Sequence, residues 1–158
     1  MFRALLINSE NDKPRISELS EDALRPDGVL VKVEYSTLNY KDCLAILHGK
    51  PIIRKYPMVT GIDFSGTVLK DPSSGFKEGS KVLMTGFGMG EKFWGGHSEL
   101  ASVDASFLLN IPSGFTMKNA MQCGTAGLTA SMALLKLRDF GSVSYTHLRA
   151  HETSLSRM

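Results

Sequence analysis

The segment GVLVKVEYS, residues 28–36, decides the fold class. Val31, Val33 and Tyr35 alternate along it with polar residues such as Lys32. A period of two is typical of a β-strand with one buried and one exposed face. The segment therefore predicts a strand that packs on a hydrophobic core, with Tyr35 on the buried face.

Short apolar runs with the same character occur on both sides of this segment. They are FRALLIN, GIDFSGTVLK, KVLMT, HSELASV and FLLNIP, at residues 2–8, 61–70, 81–85, 97–103 and 107–112. Gly61 and Gly66 lie within the second of these runs and indicate a bulge or a sharp bend. Many short strands with glycine corners predict a mainly β fold, a closed or nearly closed barrel over residues 1–115.

Two helices are predicted to interrupt the strands, over about residues 39–48 and 116–137. Thr116 follows the turn PSGF and is a good N-cap for the second helix. This helix contains GTAGLTA at residues 124–130. Two glycines within a helix cost about 1 kcal/mol each relative to alanine. They therefore indicate the close approach of another backbone or of a ligand.

Composition excludes several classes of function. The 158 residues suffice for one domain with a real core, and the net charge of +2 is too small to indicate nucleic acid or an acidic membrane as a partner. No run approaches the roughly 18 apolar residues of a membrane span. The two cysteines form no CxxC pair, which favours reduced thiols and a cytoplasmic protein.

The motif LNYKD at residues 38–42 is open to two interpretations. Asn39 and Asp42 stand three residues apart, as in a capping box at a helix start. Tyr40 and Lys41 are not needed for a cap. A phenol and an ammonium at this place could stabilise negative charge that develops on a substrate. The two roles are compatible, so the residues alone leave both open.

Two other segments resemble known binding motifs but lack a residue that each motif requires. GFGMG at residues 86–90 resembles a dinucleotide loop, but Glu91 occupies the position of the third glycine and no helix follows. It is interpreted as a loop between strands, where Trp94 could wall a pocket. His147 and His151 have the spacing of a zinc helix but lack the glutamate of that motif.

The ordered motifs LNYKD, YPMVTGIDFSGTV, EGSKVLMTGFGMGEKFWGGHSELASV and IPSGFTMKNAMQCGTAGLTA resemble the medium-chain dehydrogenase/reductases. The resemblance is greatest to the zinc-free branch of acrylyl-CoA and quinone reductases, and it covers about residues 1–141. It implies that residues 1–115 form a GroES-like β-barrel on the substrate side. Residues 116–141 would then lead into a nucleotide-binding domain of the Rossmann type.

The resemblance also implies that no zinc is bound. Zinc members of the superfamily hold the metal through Cys, His and Cys, at positions that correspond here to Asn39, Ile62 and Thr125. Amide, alkyl and hydroxyl groups cannot form that cage. The implied reaction is instead hydride transfer from NADPH to an α,β-unsaturated carbonyl or acyl-CoA substrate, in an enzyme that is a homodimer at full length.

The resemblance assigns roles to five residues. Tyr40 and Lys41 would be catalytic, by stabilising the enolate or supplying the proton. Asn39, Asp42 and Thr125 would bind the cofactor, with Asn39 and Thr125 bordering its nicotinamide end. A quinone or free enone remains an alternative substrate, and a stand-alone β-barrel that binds a ligand or partner remains an alternative function.

After KLRDFG the chain continues as SVSYTHLRAHETSLSRM. This stretch lacks the strand, glycine turn and ribose-binding residue that the family has next. It also resembles translated adapter sequence. We therefore predict that residues 142–158 are a non-native tail that packs poorly, that the chain is truncated before the Rossmann domain, and that it is inactive alone.

Overall fold

A computed structural model describes residues 1–140 of the chain. These residues form a mainly β structure with two α-helices. The strands are β1 Phe2–Ile7, β2 Arg15–Leu19, β3 Val29–Ser36, β4 Met58–Val59, β5 Asp63–Lys70, β6 Lys81–Thr85, β7 Leu100–Val103 and β8 Leu109–Asn110. The helices are α1 Tyr40–His48 and α2 Met117–Asp139, and short 3₁₀ turns cover Glu21–Ala23 and Ala105–Phe107.

The strands form two antiparallel sheets. One has the order β2-β1-β4 and the other the order β7-β3-β5-β6-β8. A bridge between Ala4 and Ser98 joins β1 to the segment that leads into β7. The predicted fold class, a mainly β domain with two helices, is confirmed.

The core lies on one face of the larger sheet and continues beneath α1. The larger cluster is contributed mainly by β3, β5, β6 and β7, and includes Val31, Phe64 and Met84, each with no exposed surface. A smaller cluster joins Ala45 of α1 to Ile53 and to residues of β1 and β4. Burial of Ala45 fixes α1 against the domain, and α1 in turn positions the LNYKD motif.

A bulge in β3 changes which side chains in the second half of the strand face the solvent. The register with β5 shifts between Val33 and Tyr35, opposite Gly66. One extra residue on a strand turns the following side chains to the other face. Tyr35 is therefore 42% exposed, and the prediction that it is buried is wrong. Gly66 of β5 lies opposite this bulge rather than within it, and a Cβ there would lie 2.1 Å from the carbonyl oxygen of Lys32.

Both predicted helices are present, but the second is not continuous. The Thr116 hydroxyl accepts the backbone N–H of Asn119 at 3.1 Å, which confirms Thr116 as an N-cap. Gly124 has φ 50° and ψ −160°, which no helix residue adopts. The prediction of one uninterrupted helix is wrong at this position. Gly124 ends one helical segment, and a second begins after it.

Residues 1–128 form one compact unit. Of the second unit, which begins at Thr129, the structure describes residues 129–140, which are helical up to Asp139. No helix within residues 1–140 is long and apolar enough to cross a membrane. The predictions for residues 142–158, and for His147 and His151, lie outside the described residues. The predicted domain boundaries stay predictions.

Candidate functional site

The carboxylate of Asp63 is the centre of a polar cluster that contains two of the predicted site residues. Asp63 is the first residue of β5 and has no exposed surface. Its Oδ1 accepts the Thr37 hydroxyl at 2.6 Å. Its Oδ2 accepts the Asn39 side-chain amide at 3.1 Å and the backbone N–H of Thr125 at 3.0 Å. The carboxylate therefore holds the end of β3, the cap of α1 and the start of the second segment of α2 together.

Gly124 is the residue that allows this close approach. A Cβ on Gly124 would lie 3.0 Å from Asp63 Oδ2 and 3.4 Å from a methyl carbon of Thr37. The combination of φ 50° and ψ −160° also lies in a region that is open almost only to glycine. The close approach predicted for the GTAG segment is confirmed at Gly124, and the neighbour is protein.

Asn39 and Asp42 form the reciprocal capping box that the sequence predicts. The backbone N–H of Asn39 donates to Asp42 Oδ2 at 2.8 Å. Asp42 Oδ1 accepts the backbone N–H of Ile62 at 3.0 Å, and Asp42 is only 1% exposed. Asp42 thus anchors α1 to the segment that precedes β5. Its direct contact with a cofactor stays a prediction.

Tyr40 and Lys41 occupy the first turn of α1 in different environments. Tyr40 is 80% exposed, and among residues 1–140 its hydroxyl has no hydrogen-bond partner. Lys41 forms an ion pair with Glu91, which also accepts Arg54 Nε at 2.8 Å. The phenol is therefore accessible to a ligand, whereas the ammonium is held in place. The catalytic roles of both residues stay predictions.

Glu91 is the ion-pair partner of Lys41, and the sequence alone did not reveal this pair. Its side chain is 14% exposed and lies between the cations of Lys41 and Arg54. The hydrogen bond from Lys41, together with attraction from Lys41, Arg54 and Lys92, holds the pKa of Glu91 below its usual value. A carboxyl group with a lowered pKa stabilises the folded state while it is ionised.

We expect Glu91→Gln to lower the free energy of unfolding by about 1 kcal/mol at neutral pH. Because the folded-state pKa of Glu91 lies below the unfolded-state value, this stabilisation is present above the unfolded-state pKa and is lost as the pH falls through the folded-state pKa. Urea unfolding of both proteins over a pH series should show their difference shrinking below the usual glutamate range, about pH 4.3.

Glu78→Gln is the matched control for this experiment. Glu78 is exposed and forms no ion pair within the described residues. Its replacement should change stability by less than about 0.5 kcal/mol at every pH. A Glu91→Gln difference that stays constant down to acid pH would show that the ion pairs of Glu91 do not stabilise the fold.

His97 is hydrogen-bonded to the backbone of Thr37, whose side chain binds the Asp63 carboxylate. Its Nε2 donates to the backbone carbonyl of Thr37 at 2.9 Å, since a carbonyl can only accept. In the neutral ring, Nδ1 then accepts the hydroxyl of Thr60 at 2.8 Å. Gly61 has φ 101°, and a Cβ there would lie 2.9 Å from the His97 ring. The imidazole thereby fixes the backbone of Thr37, whose side chain binds Asp63.

Asn39, Ile62 and Thr125, which the resemblance matches to the positions of zinc ligands, lie close to one another. The Asn39 side chain and the Thr125 backbone share the Asp63 carboxylate, and Ile62 precedes Asp63 in the chain. Within residues 1–140, no group of three or more His, Cys, Asp or Glu side chains is arranged to hold a metal ion. The zinc-free assignment stays a prediction, which rests on the chemistry of these three residues.

Comparison with known proteins identifies the protein family to which the chain belongs. The profile of the alcohol dehydrogenase GroES-like domain matches residues 25–113. The chain therefore belongs to this family, and with it to the medium-chain dehydrogenase/reductases, as the sequence motifs predict.

Among individual proteins, the chain is 43% identical to acrylyl-CoA reductase AcuI of Ruegeria pomeroyi, over 89% of this chain and 44% of that protein. It is 40% identical to the Bacillus subtilis protein named "Putative quinone oxidoreductase YhfP", over 89% of this chain and 43% of that protein. The chain thus spans less than half the length of these relatives.

Solved structures agree with these relatives. The yhdH oxidoreductase from Salmonella enterica, in complex with NADP, is 44% identical and superimposes with a TM-score of 0.81, over 88% of this chain and 44% of that one. The B. subtilis protein yhfP, with NAD bound, is 40% identical and has a TM-score of 0.85, over 90% of this chain and 44% of that one.

Proposed function

We propose that this chain is the GroES-like part of an NADPH-dependent oxidoreductase that reduces the C=C bond of an α,β-unsaturated acyl-CoA without zinc. The observation that carries the proposal is the shared Asp63 carboxylate, which brings Asn39 and Thr125 together. These are the residues that the family resemblance assigns to the nicotinamide end of the cofactor. The name of the R. pomeroyi relative supports an acyl-CoA as the substrate.

The residues of this chain fit one end of the cofactor. Gly124 is buried against Asp63, and small residues at 126 and 127 follow Thr125, so a flat ring can approach the backbone closely. When bound, NADPH supplies the hydride. Within residues 1–140 there is no strand and glycine turn that opens a helix, the unit that holds the pyrophosphate of a dinucleotide. Most of the cofactor-binding surface would therefore come from a second domain.

The first turn of α1 would stabilise the charge that develops on the substrate. Addition of hydride to the β-carbon places negative charge on the carbonyl oxygen, as an enolate. Lys41, held by Glu91, and the exposed Tyr40 hydroxyl are the polar groups that α1 offers there. One of them would then supply the proton that the α-carbon needs to complete the reduction.

A second substrate class has one observation in its favour. The B. subtilis relative carries the name of a quinone oxidoreductase, and its solved structure holds NAD where the S. enterica structure holds NADP. Quinone or enone reduction, with either nicotinamide cofactor, therefore remains the alternative. The homodimer implied by the family is part of the same proposal.

The test compares a short and an extended protein. We expect the 158-residue chain alone to show no NADPH-dependent reduction of acrylyl-CoA above background, because remote binding energy supports positioning at the reacting carbon. A chimera of residues 1–139 with the remaining part of the R. pomeroyi relative should restore NADPH consumption.

Three results would count against the proposal. Turnover by the short chain would show that its own residues bind the cofactor sufficiently. A folded chimera that reduces a quinone but not acrylyl-CoA would favour the alternative substrate. A folded chimera without any reductase activity, beside an active R. pomeroyi protein, would contradict the enzymatic assignment.

A further inference from the structure

A cavity of about 300 Å³ lies within residues 1–128, apart from the Asp63 cluster. Its walls come from the 3₁₀ turn near residue 24, from residues 55–58, from the loop 89–94 and from residues 102–107. None of the residues assigned to catalysis or cofactor binding lines it. Its volume is at the lower end of the range for small-molecule sites, about 300–1,000 Å³.

One wall of the cavity is aromatic and well fixed. The Trp94 indole N–H donates to the carbonyl oxygen of Pro57 at 2.8 Å, which sets the orientation of its ring and confirms Trp94 as a pocket wall. Phe93 and Phe107 pack against each other with centroids 5.8 Å apart and planes at 58°. Phe93 is 37% exposed, so part of its ring is free to contact a ligand. These rings can pack against a flat aromatic group.

Charged side chains also line the cavity. Lys55, Lys92 and Arg25 line the cavity together with Asp104. The guanidinium of Arg25 is paired with Asp27 at 2.9 Å. Among residues 1–140, neither Lys55 nor Lys92 forms an ion pair of its own. The cavity therefore offers two ammonium groups without an ion-pair partner among the described residues, beside an aromatic surface, with Asp104 in the same lining and Glu91 next to Lys92 in the chain.

We propose that this cavity binds a small aromatic phosphate, with its ring against Phe93 and Trp94 and its phosphate between Lys55 and Lys92. A neutral apolar ligand would leave the two ammonium groups unused, and inorganic phosphate would leave the aromatic wall unused. Lysine suits a phosphate because it acts as a point charge with several donors. The proposal does not depend on the reaction proposed above, since none of the residues assigned there to catalysis or cofactor binding lines the cavity.

The ligand could be a free nucleotide or the phosphorylated adenosine of a larger molecule. AMP and coenzyme A are the probes that distinguish these sources. Trp94 is the single tryptophan of the 158 residues, so its fluorescence reports on this cavity alone. We expect saturable quenching of Trp94 by AMP, with adenosine and inorganic phosphate each binding about tenfold more weakly. Coenzyme A binding at least as tightly as AMP would indicate the larger molecule, and weaker binding the free nucleotide.

Substitutions test the contributions of the lysine and aromatic side chains to binding. Lys55→Ala and Lys92→Ala should each weaken AMP binding about threefold to tenfold, with a smaller loss at high salt. Phe93→Leu should also weaken it, because the ring is lost and a side chain of similar hydrophobicity remains. Lys77→Ala is the control, since Lys77 is exposed and does not line the cavity.

The proposal is wrong if AMP causes no saturable quenching of Trp94 in a chain that is folded. The far-ultraviolet circular dichroism spectrum shows whether the chain is folded. The proposal is also wrong if adenosine binds as tightly as AMP, or if Lys77→Ala weakens binding as much as Lys92→Ala. Equal binding of AMP and inorganic phosphate, together with no effect of Phe93→Leu, would reduce the site to a patch of positive charge and overturn the proposed aromatic contact.

Discussion

Replacing Asp63 with alanine is expected to lower the free energy of unfolding by about 3–4 kcal/mol. The carboxylate has no exposed surface and accepts hydrogen bonds from Thr37, Asn39 and the Thr125 backbone. Alanine would remove the carboxylate that accepts the Thr37 hydroxyl and the Thr125 backbone N–H, whereas the Asn39 amide would keep Thr37 Oγ1 at 2.8 Å and Asp42 Oδ2 at 3.3 Å as acceptors. A buried donor that loses its partner costs about 1–3 kcal/mol. Urea unfolding followed by circular dichroism measures the loss.

Two further variants make the Asp63 experiment specific. Asp63→Asn keeps one acceptor oxygen but turns an NH₂ group towards donors, so its loss should be smaller, about 1–2 kcal/mol. Asp12→Ala is the matched control, because Asp12 is exposed and its side chain has no hydrogen bond within the described residues. If Asp63→Ala is no more destabilising than Asp12→Ala, the cluster does not hold these three segments together.

Features that depend on local sequence were predictable from it. The period of two in residues 28–36 indicated β3, because alternating side chains point to opposite faces of a strand. The spacing of Asn39 and Asp42 indicated the start of α1, because a capping box is completed within four residues. The glycine pair at 124 and 127 indicated a close approach, although not the break at Gly124 that makes it possible.

Features that depend on contacts distant in sequence were not predictable. Asp63 contacts Asn39 and Thr125 across 24 and 62 positions of the chain, and Lys41 contacts Glu91 across 50. In the sequence, Asp63 is an acidic residue at the start of an apolar strand, which is a weak sign of a buried carboxylate. The strands β2 and β4 were missed because β4 has only two residues and β2 is largely exposed.

The interpretation of NYKD now rests on a difference between its four residues. Asn39 and Asp42 are accounted for by the capping box and by their contacts with Asp63 and Ile62. Lys41 is accounted for in part by Glu91. Tyr40 is 80% exposed and its hydroxyl contributes no contact to the fold within residues 1–140. Its phenol is therefore the group for which the fold alone gives no reason.

In the chimeric reductase, we expect Tyr40→Phe or Lys41→Ala to lower kcat by about 10–100-fold if these residues supply the proton or stabilise the enolate. Tyr40→Phe should leave Tm unchanged, because the exposed hydroxyl has no partner within residues 1–140. Lys41→Ala also breaks the pair with Glu91, so Lys41→Arg, which keeps a cation there, separates charge from proton supply. Tyr35→Phe is the matched control, because Tyr35 is 42% exposed and lies on β3 outside the site.

NADPH consumption with acrylyl-CoA gives kcat and KM for each protein. A loss in kcat with unchanged KM and unchanged Tm would assign the hydroxyl to the transition state. Full activity in Tyr40→Phe and in Lys41→Ala would leave NYKD with its capping role alone.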